Sequence, residues 1–504
     1  MGIPSYYKRL VDSVTGLLSY THPGKIDWLW MDFNCLIYHC LHRPGMKAFP
    51  CEEGQDFWEK CLLDEVISYT KKIIGEVKPS KGVYIAIDGV VPMAKMKQQR
   101  LRRFKSAWLS QHDPANSEKM GEKWDTNAIT PGTAFMNKLR LRLEEEAKRT
   151  KWIISSSDES GEGEHKIMAQ WRKWSGGEAN FAVYGLDADL VVLSLLTKGA
   201  NNVWLFREEV ESGIIVRDAE GDEKYTWFSI NHLERHIINT IGDKVQDYCF
   251  AMSFLGNDFL PTSLSFKMRE DGHDMLLKIL REMDESLILP EGEQINKGGV
   301  IKLFKILSTD EDSRILKSVM KKSQMARSAR EVPIGDNMWS VWKNADRILI
   351  GNGRTLVPGW INQYTEWCSG DMDLAIKTYL YGVQWNWAYY KGDDICYNWY
   401  YPWHLPPLWK WLDNADKFPE FSGVVEVRGS DIKPIEQLAL VLPLESWNLV
   451  GRIGKERLLP IHAPWCFPKK YGFFSIGKRW FWECEPEIPV PSIRELKRII
   501  SAIL

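Results

Sequence analysis

Residues 28–32 read WLWMD and residues 83–88 read VYIAID, and each of these apolar runs ends in an aspartate. A third run, AVYGLDAD at residues 182–189, ends in the same way. Short runs rich in β-branched and aromatic side chains are typical of buried strands. The segments between them have the periodicity of helices. Strands that alternate with helices indicate an α/β unit with a mainly parallel central sheet flanked by helices.

Seven acidic residues fall where an apolar element ends, and in a parallel sheet the carboxyl ends of the strands share one edge. They are Asp32, Asp88, Glu162, Glu164, Asp187, Asp189 and Asp258. So many carboxylates in one crevice stay ionised only if cations neutralise them. Oxygen ligands without accompanying His or Cys select Mg²⁺ or Mn²⁺ over zinc. The pattern therefore predicts a two-metal site for phosphodiester hydrolysis.

Each acid also has a purely structural interpretation when it is taken alone. An aspartate at a strand end is a common turn former or helix N-cap. Glu162 and Glu164 are flanked by Gly161 and Gly163, so they fit a solvated turn as well. The repetition of acids after successive strands favours the catalytic interpretation for the set as a whole.

A basic segment follows Asp88 directly. The stretch GVVPMAKMKQQRLRRFKSAW, residues 89–108, contains no acid. At 3.6 residues per turn, one helical face holds Lys95, Gln99, Arg102 and Arg103. Arginine suits bidentate binding of phosphate and lysine suits point-charge attraction, so this face predicts a phosphate pocket beside the metal site. An ordinary solvated helix face is the alternative.

The composition is that of a folded, soluble protein. The 504 residues contain 44% hydrophobic and 26% charged side chains, with 65 Lys and Arg against 67 Asp and Glu. Nine cysteines without a CxxC spacing indicate neither a disulfide framework nor a zinc site. The sequence has no apolar run of the roughly 18 residues that span a membrane and no apolar signal region at its N-terminus. We expect a monomer without membrane contact in the cytoplasm, with the nucleus as the alternative location.

Tryptophan is unusually frequent in the second half of the chain. Ten of the 24 tryptophans lie from Trp339 to Trp411. Most of them fit core and interdomain packing, while one or two could stack on unpaired bases. We expect this half to be helical early and irregular later. Residues 110–128 and 284–335 are polar and charged and predict a surface loop and a connector, apart from a short apolar helix near residues 300–307.

The motifs together resemble the XRN family of 5′→3′ exoribonucleases. In chain order they are MGIPSYY, LWMDFN, AIDGVVPMAKMKQQRLRRF, ITPGTAFM, GEGEHKIM, YGLDADL, FLGNDFLP, YYKGDD with WYYPWHLPP, IKPIEQL and GKRWFWE. They extend from residue 1 to about residue 495. The resemblance implies a PIN-like 5′ nuclease core in residues 1–283, a variable connector in 284–335 and a second conserved region in 336–504 that encloses the active-site pocket. It also implies a compact member without the long C-terminal modules, either a trimmed eukaryotic relative or a viral copy.

The resemblance further implies an activity and a ligand for each part of the site. The expected reaction is stepwise removal of mononucleotides from single-stranded RNA with a 5′-monophosphate, as in messenger RNA decay. The seven carboxylates named above would bind two Mg²⁺ ions, with Mn²⁺ as a substitute. Lys95, Gln99, Arg102 and Arg103 would bind the 5′-monophosphate and exclude capped or triphosphate ends for lack of room.

One position departs from the family pattern. In LWMDFNCLIYHCLH, Tyr38 stands where the family has a histidine that stacks on the first base. A tyrosine ring can also stack, so we expect Tyr38 on one side of that base. Trp399 in NWYYPWH is the expected aromatic on the other side, with Tyr397 as the alternative.

Two other functions compete with this prediction. A structure-specific 5′ flap nuclease would share the acids and the MGI start, but it leaves the second aromatic region and the basic string unexplained. A non-catalytic RNA-binding scaffold would not need a complete acid set. Product length on a flapped duplex distinguishes the first alternative, and RNA binding without hydrolysis identifies the second.

Overall fold

The computed structural model describes residues 2–112, 123–185, 187–197, 200–211, 214–290, 293–326, 341, 355–413 and 427–503. A seven-stranded sheet, two short two-stranded sheets and many helices make up these residues. The strands are β1 (Leu18–Ser19), β2 (Trp28–Asp32), β3 (Gly82–Ala86), β4 (Trp152–Ser155), β5 (Ala179–Tyr184), β6 (Ala200–Glu208), β7 (Val210–Glu211), β8 (Ile214–Ile215), β9 (Tyr225–Ser229), β10 (Phe473–Phe474) and β11 (Glu485–Pro486).

The large sheet has the order β1-β9-β6-β5-β2-β3-β4. Its five strands from β6 to β4 are parallel, and β9 pairs antiparallel with both β6 and β1. The predicted α/β class with a mainly parallel sheet is therefore confirmed. Because β5, β2, β3 and β4 are neighbours with the same direction, their carboxyl ends meet along one continuous edge.

The sheet separates two hydrophobic cores. Side chains of a strand alternate between the faces, so Trp30 and Phe181 pack on one side while Leu29 and Met31 pack on the other. All five residues of β3 are buried, which explains why its sequence reads as an uninterrupted apolar run rather than as an alternation.

The helices cover both faces of the sheet and continue through the second half of the chain. They are α1 (Tyr6–Ser13), α2 (Asn34–Cys40), α3 (Gln55–Val77), α4 (Met93–His112), α5 (Ala134–Ala147), α6 (Gly163–Arg172), α7 (Asp189–Leu195), α8 (Ile230–Ile241), α9 (Val245–Ala251), α10 (Gly272–Glu282), α11 (Lys297–Ser308), α12 (Glu311–Ala326), α13 (Trp360–Cys368), α14 (Met372–Lys391), α15 (Trp409–Leu412), α16 (Pro434–Val441), α17 (Leu459–His462) and α18 (Ile493–Ala502). Among the described residues, no helix is both long and apolar enough to cross a bilayer.

Two segments differ from the loops that the sequence predicted. The apolar helix near residues 300–307 is confirmed as part of α11, and residues 311–326 of the predicted connector, where the sequence indicated no further helix, form α12. Ile315 and Val319 of α12 are buried, one helical turn apart. In the other segment, α4 continues to His112 and a 3₁₀ helix spans Thr126–Ala128, while residues 113–122 lie outside the described part.

The aromatic second half of the chain packs directly onto the half that contains the large sheet. Helix α14 is buried on almost every side, and its Trp385 and Tyr390 belong to the same core as Trp30 of the sheet. Trp385, Trp387 and Trp409 are all nearly inaccessible to solvent. The prediction that most tryptophans serve packing is confirmed for these residues, while Trp339 and Trp342 lie outside the described residues.

Candidate active site

The seven predicted carboxylates gather at the carboxyl edge of the sheet. Asp32 is the last residue of β2, Asp88 lies two residues beyond β3, and Asp189 begins α7 after β5. The structure therefore assembles the acids through the parallel order of four adjacent strands. Burial is the largest cause of the raised pKa of Asp32, and the nearby carboxylates of Asp88 and Asp187 raise it further.

Asp88 is held by hydrogen bonds from two other elements. The backbone N–H of Gly163 donates to Oδ1 of Asp88 at 2.8 Å, and Nδ2 of Asn34 donates to its Oδ2 at 3.0 Å. The amide of Asp88 in turn donates to Oδ1 of Asn34 at 3.2 Å. Asn34 lies within the quoted motif LWMDFN, but sequence reasoning gave it no role. It fixes the direction of a catalytic candidate.

Gly163 allows α6 to begin directly against the acidic edge. A Cβ atom on Gly163 would lie 2.4 Å from Oδ1 of Asp32 and 2.9 Å from the carbonyl oxygen of Ala86. The second contact involves rigid backbone, so a side chain at residue 163 would displace the helix from the sheet. The glycine of the SGEGEHK turn is therefore required by close approach and not by turn geometry alone.

The first residues of the chain form another wall of the site. The amide of Ile3 donates to Oδ1 of Asp189 at 3.0 Å, and the amide of Asp189 donates to Oδ1 of Asp187 at 3.2 Å. Gly2 has φ +57°, and a Cβ there would lie 2.4 Å from Oδ1 of Asp187. The MGIPSYY motif thus contributes backbone contacts to the acids that follow β5.

Lys95 lies among the carboxylates. Its Nζ is 2.6 Å from Oε2 of Glu162 and 2.8 Å from Oδ2 of Asp258. The structure brings Lys95 together with the metal-ligand candidates more closely than with the rest of the predicted phosphate pocket. Its ammonium group neutralises part of the negative charge and holds the pKa of Asp258 below its usual range, against the effect of burial.

Burial and mutual repulsion make several of these carboxyl groups hard to ionise. Burial is the largest cause in each case, and it raises the pKa of Asp32, Glu164 and Asp189 well above the usual values. Burial also raises the pKa of Glu162 to about 7, although Lys95 acts in the opposite direction. The site therefore carries more negative charge than the surrounding protein neutralises.

The donor set fits hard divalent cations in chemistry and in charge. Seven carboxylates provide oxygen ligands of the kind that Mg²⁺ and Mn²⁺ prefer. As the side chains stand, no trio of carboxyl, imidazole or thiol groups within the described residues is arranged to ligate one ion. The Lys95 ammonium instead bridges Glu162 and Asp258, as described above. Ion binding would require this bridge to open.

Tyr389 connects the second half of the chain to the acidic edge. Its hydroxyl lies 2.8 Å from Oε1 of Glu162 and 3.1 Å from Oε1 of Glu164. A phenol has one proton, so it can donate to one of these carboxyl groups at a time. The ring of His165 stacks on the Tyr389 ring with centroids 4.8 Å apart. Tyr389 is fully buried on α14 and positions both glutamates.

The buried part of the predicted phosphate pocket carries unpaired polar atoms. Gln99 and Arg103 are each 7% exposed, and among the described residues Oε1 of Gln99 and Nη1 of Arg103 have no hydrogen-bond partner. Nη2 of Arg103 donates to Oγ1 of Thr130 at 2.8 Å, which fixes the guanidinium. Burial lowers the pKa of Arg103 to about 10, so it remains charged at neutral pH. Arg102 is exposed at the edge of this pocket.

The two predicted stacking residues lie in different settings. Tyr38 is 38% exposed, and its phenol is close enough to Arg103 to affect the pKa of that side chain. The Trp399 ring packs on α14, where a Cβ on Gly382 would lie 2.3 Å from its Cζ2. Its centroid is 4.8 Å from that of Trp385. Tyr397, the alternative, is buried. The stacking roles of Tyr38 and Trp399 stay predictions.

The other basic residues of α4 bind the second half of the chain. Arg100 is completely buried and donates to the carbonyl oxygens of Pro489 at 3.0 Å, Leu440 at 2.6 Å and Cys466. Lys97 donates to the carbonyl oxygen of Tyr401 at 2.8 Å. The basic helix therefore has one face toward the active site and another that anchors residues 401–489.

The comparisons with known proteins agree with the motifs. Residues 1–209 match the family model described as the XRN 5′-3′ exonuclease N-terminus. The chain is 30% identical over 366 residues to 5′-3′ exoribonuclease 2 of Candida glabrata, covering 56% of this chain and 35% of the relative. It is 30% identical over 345 residues to 5′-3′ exoribonuclease 1 of Saccharomyces cerevisiae, covering 61% of this chain and 22% of the relative.

A longer alignment exists at lower identity. With 5′-3′ exoribonuclease 2 of Candida albicans the identity is 24% over 710 aligned positions, covering 100% of this chain and 72% of the relative. The alignment with the Candida glabrata relative, which has the higher identity of 30%, spans only 35% of the length of that relative. Similarity extends beyond the part that the family model matches and reaches the region that contains Tyr389.

Proposed function

We propose that this chain is a member of the XRN family of 5′→3′ exonucleases, whose N-terminal model its residues 1–209 match, and that it hydrolyses single-stranded RNA from a 5′-monophosphate end and releases mononucleotides. One observation carries the proposal. Lys95 of α4 contacts two carboxylates of the acidic set, and about two turns further along the same helix Nη1 of Arg103 is buried without a partner among the described residues. A buried, unpaired guanidinium N–H is costly unless an anion binds to it.

The geometry supports a division of work among the residues. Arg103 and Arg102 would bind the terminal phosphate, and Gln99 would accept a hydrogen bond from a protonated phosphate oxygen or a sugar hydroxyl. With the terminal phosphate bound there, the phosphodiester bond after the first nucleotide would lie toward the acidic edge. Tyr389 and Lys95 hold Glu162 and Glu164 in place. The Tyr38 ring, beside Arg103, would stack on the first base.

The implied cofactor fits this arrangement. The seven carboxylates would hold two Mg²⁺ ions, which supply an activated water and charge stabilisation of the leaving oxygen. Lys95 would then leave its bridge between Glu162 and Asp258, and its ammonium would become free to contact phosphate. Lys95 would thus contact carboxylates in the ion-free protein and phosphate when the metal ions are bound. The cytoplasmic location stays a prediction.

A substrate panel tests the proposed function. RNA and DNA with 5′-phosphate, 5′-hydroxyl or capped ends would be incubated with Mg²⁺ or with EDTA, and the products would be resolved by length. We expect mononucleotides from 5′-phosphorylated RNA in Mg²⁺ alone. Products several nucleotides long from a flapped duplex would identify a flap nuclease instead. Binding of RNA without any product would identify a scaffold.

Replacing Arg103 with alanine is expected to reduce the preference for 5′-phosphate over 5′-hydroxyl RNA by about 50-fold. Hydrogen bonds to a charged group contribute about 1.5–3 kcal/mol each, and Arg103 offers one unpaired N–H in a buried position. The ratio of kcat/KM for the two RNAs measures this preference. The exposed Arg149 of the α5 end serves as the matched control, and Arg149→Ala should leave the ratio unchanged. An unchanged ratio in Arg103→Ala would exclude the phosphate role.

The raised carboxyl pKa values make the stability of the ion-free protein depend on pH. Glu162 has a pKa of about 7 in the folded chain, against about 4.3 when unfolded. Between these values the folded protein keeps a proton that the unfolded chain has lost, so the free energy of unfolding falls as the pH rises through this window. In EDTA we expect a lower unfolding temperature at about pH 8 than at about pH 5.5. Mg²⁺ should restore it more at the higher pH.

Thermal unfolding of a matched variant checks the assignment to this group. Glu162→Gln cannot ionise at this position, so it should make the fall between the two pH values smaller, while the raised pKa values of Asp32, Glu164 and Asp189 account for the fall that remains. An equal fall in the wild type and the variant would place the titrating group elsewhere. An equal gain from Mg²⁺ at both pH values would argue against ion binding by these carboxylates.

A further inference from the structure

A cavity lies along the face of α4 that adjoins the face of the buried phosphate pocket. It has a volume of about 440 Å³ and is bounded by α4, by residues 2–5 and 255–270, and by residues 401–405 and 476–486. We call it the α4 cavity. It adjoins the active site, because Gly2, Arg102 and Asp258 line it, whereas the other six carboxylates do not.

Helix geometry separates the α4 cavity from the predicted phosphate pocket. The residues of α4 that line the cavity are Ala94, Lys97, Gln98, Leu101, Arg102 and Lys105. All six, Arg102 included, follow the spacing of three and four that defines one helical face. Lys95, Gln99 and Arg103 lie on the neighbouring face and do not line the cavity. Arg102 stands on the border between the two faces.

The α4 cavity has an excess of positive charge. Lys97, Lys105 and Lys478 line it, and no described carboxylate forms an ion pair with any of them. Lys97 and Lys105 donate only to carbonyl oxygens, those of Tyr401 and of Trp482 and Cys484.

Four acids line the α4 cavity, and three of them are paired with other bases: Asp258 with Lys95, Glu270 with Arg479 and Glu483 with Arg269. The fourth acid lies near the three lysines. Glu485 lines the α4 cavity and is already paired with His404 at 2.7 Å. Burial lowers the pKa of both Lys97 and Lys105. The Glu485 carboxylate opposes this effect, and the nearby charge of Lys478 adds to it. An anion in the cavity would relieve this repulsion.

The rest of the wall suits a planar ring. The indoles of Trp403 and Trp482 line the α4 cavity and are partly exposed, and Leu101 and Ile476 add apolar surface. The Arg269 guanidinium lies over one face of the Trp482 ring, 4.8 Å from its centroid, and holds the ring in place. Sites for small ligands have volumes of roughly 300–1,000 Å³. The volume of this cavity therefore suits one nucleotide and is too small for a folded RNA strand.

We propose that the α4 cavity binds one nucleoside monophosphate unit, with the phosphate against Lys97, Lys105 and Lys478 and the base against the Trp482 ring. The unit is either the released mononucleotide or one nucleotide of the RNA strand. This inference rests on the proposed function for the origin of the ligand, but the binding itself can be tested without hydrolysis.

Binding of AMP in EDTA, measured by titration calorimetry on the full chain, is the direct test. Lys478→Ala is expected to weaken this binding by about tenfold, because an unpaired cation contributes through charge-assisted hydrogen bonds. The backbone N–H of Lys478 donates to Ser475, and that bond survives the change. The exposed Lys470, which does not line the cavity, provides the matched control Lys470→Ala.

Arg103→Ala separates the two sites. It should retain the AMP binding that Lys478→Ala loses. Loss of all AMP binding in Arg103→Ala, or an unchanged isotherm in Lys478→Ala, would overturn the proposal, because AMP would then bind at the phosphate pocket or elsewhere. A wild-type protein that binds AMP through Lys478 but does not hydrolyse RNA would contradict the proposed function and leave this site intact.

Kinetics with 5′-phosphorylated RNA distinguish the two sources of the nucleotide. If the ligand is the product, Lys478→Ala weakens inhibition by AMP and leaves KM for RNA unchanged. If the ligand belongs to the strand, AMP competes with RNA in the wild type, and Lys478→Ala raises KM for RNA as well as weakening inhibition by AMP. Either result supports a nucleotide site, and a change in neither quantity would count against it.

Discussion

Replacing Asp189 with asparagine is expected to lower the rate of RNA hydrolysis by about 10³-fold or more, equivalent to roughly 4 kcal/mol of transition-state stabilisation. Asparagine keeps the size of the side chain and can still accept the hydrogen bond from the amide of Ile3, so the fold should be retained. What is lost is one negative charge from a set that would neutralise two divalent ions. Asp187→Asn should behave in the same way.

Single-turnover hydrolysis and RNA binding, measured side by side, check this expectation. Binding of 5′-phosphorylated RNA should remain nearly unchanged, since Arg103 lies outside the acidic set. Asp284→Asn is the matched control because the Asp284 side chain is 92% exposed and remote from the sheet edge. Retention of more than about a tenth of the activity in Mg²⁺ would remove Asp189 from the catalytic set.

The acidic edge could be predicted from the sequence because it depends on topology alone. Strands that point in one direction place their last residues along one line, so Asp32, Asp88 and Asp187 needed no tertiary detail to be grouped. The structure adds the polar groups that orient them. Asn34 and the backbone of Gly163 bind Asp88 from other elements, and no periodic pattern marks such contacts.

The contacts of Lys95 and Tyr389 could not be predicted from the sequence pattern. Helix periodicity places Lys95 on one face with Gln99, but it does not say which neighbour that face meets, and the structure puts Lys95 against Glu162. Tyr389 belongs to an aromatic-rich helix that is buried all round, so nothing in its spacing separates it from packing residues. Contacts between distant segments determine both positions.

Helix α12 was missed for a different reason. Its sequence EDSRILKSVMKKSQMA is mostly charged and polar, and the two residues that bury its face are Ile315 and Val319, one turn apart. Glu311 at its start is buried and accepts the backbone N–H groups of Trp409 and Lys410. A search for residues four apart would have found the helix, whereas average polarity concealed it.

Arg100→Met is expected to lower the free energy of unfolding by about 3 kcal/mol. The side chain donates to carbonyl oxygens of Pro489, Leu440 and Cys466, and each buried acceptor left without a donor costs about 1–3 kcal/mol. Methionine fills a similar volume and removes a charge that lacks an acidic partner, which offsets part of the loss. Burial lowers the pKa of Arg100 to about 10, so the wild-type side chain is charged at neutral pH.

Urea unfolding distinguishes the two opposing effects in Arg100. If the cost of burying the Arg100 charge exceeds the gain from its hydrogen bonds, Arg100→Met will be at least as stable as the wild type. The three carbonyl contacts would then not be the main interaction that holds the second half of the chain to α4. If the hydrogen bonds dominate, Arg100→Lys should recover only part of the loss, because an ammonium group cannot reproduce the planar fork that reaches three acceptors. Arg149→Met, at an exposed position, should change stability by less than about 0.5 kcal/mol. Loss of stability at Arg100 with retained 5′-phosphate preference would show that α4 anchors residues 440–489 through a different face from the one that binds phosphate.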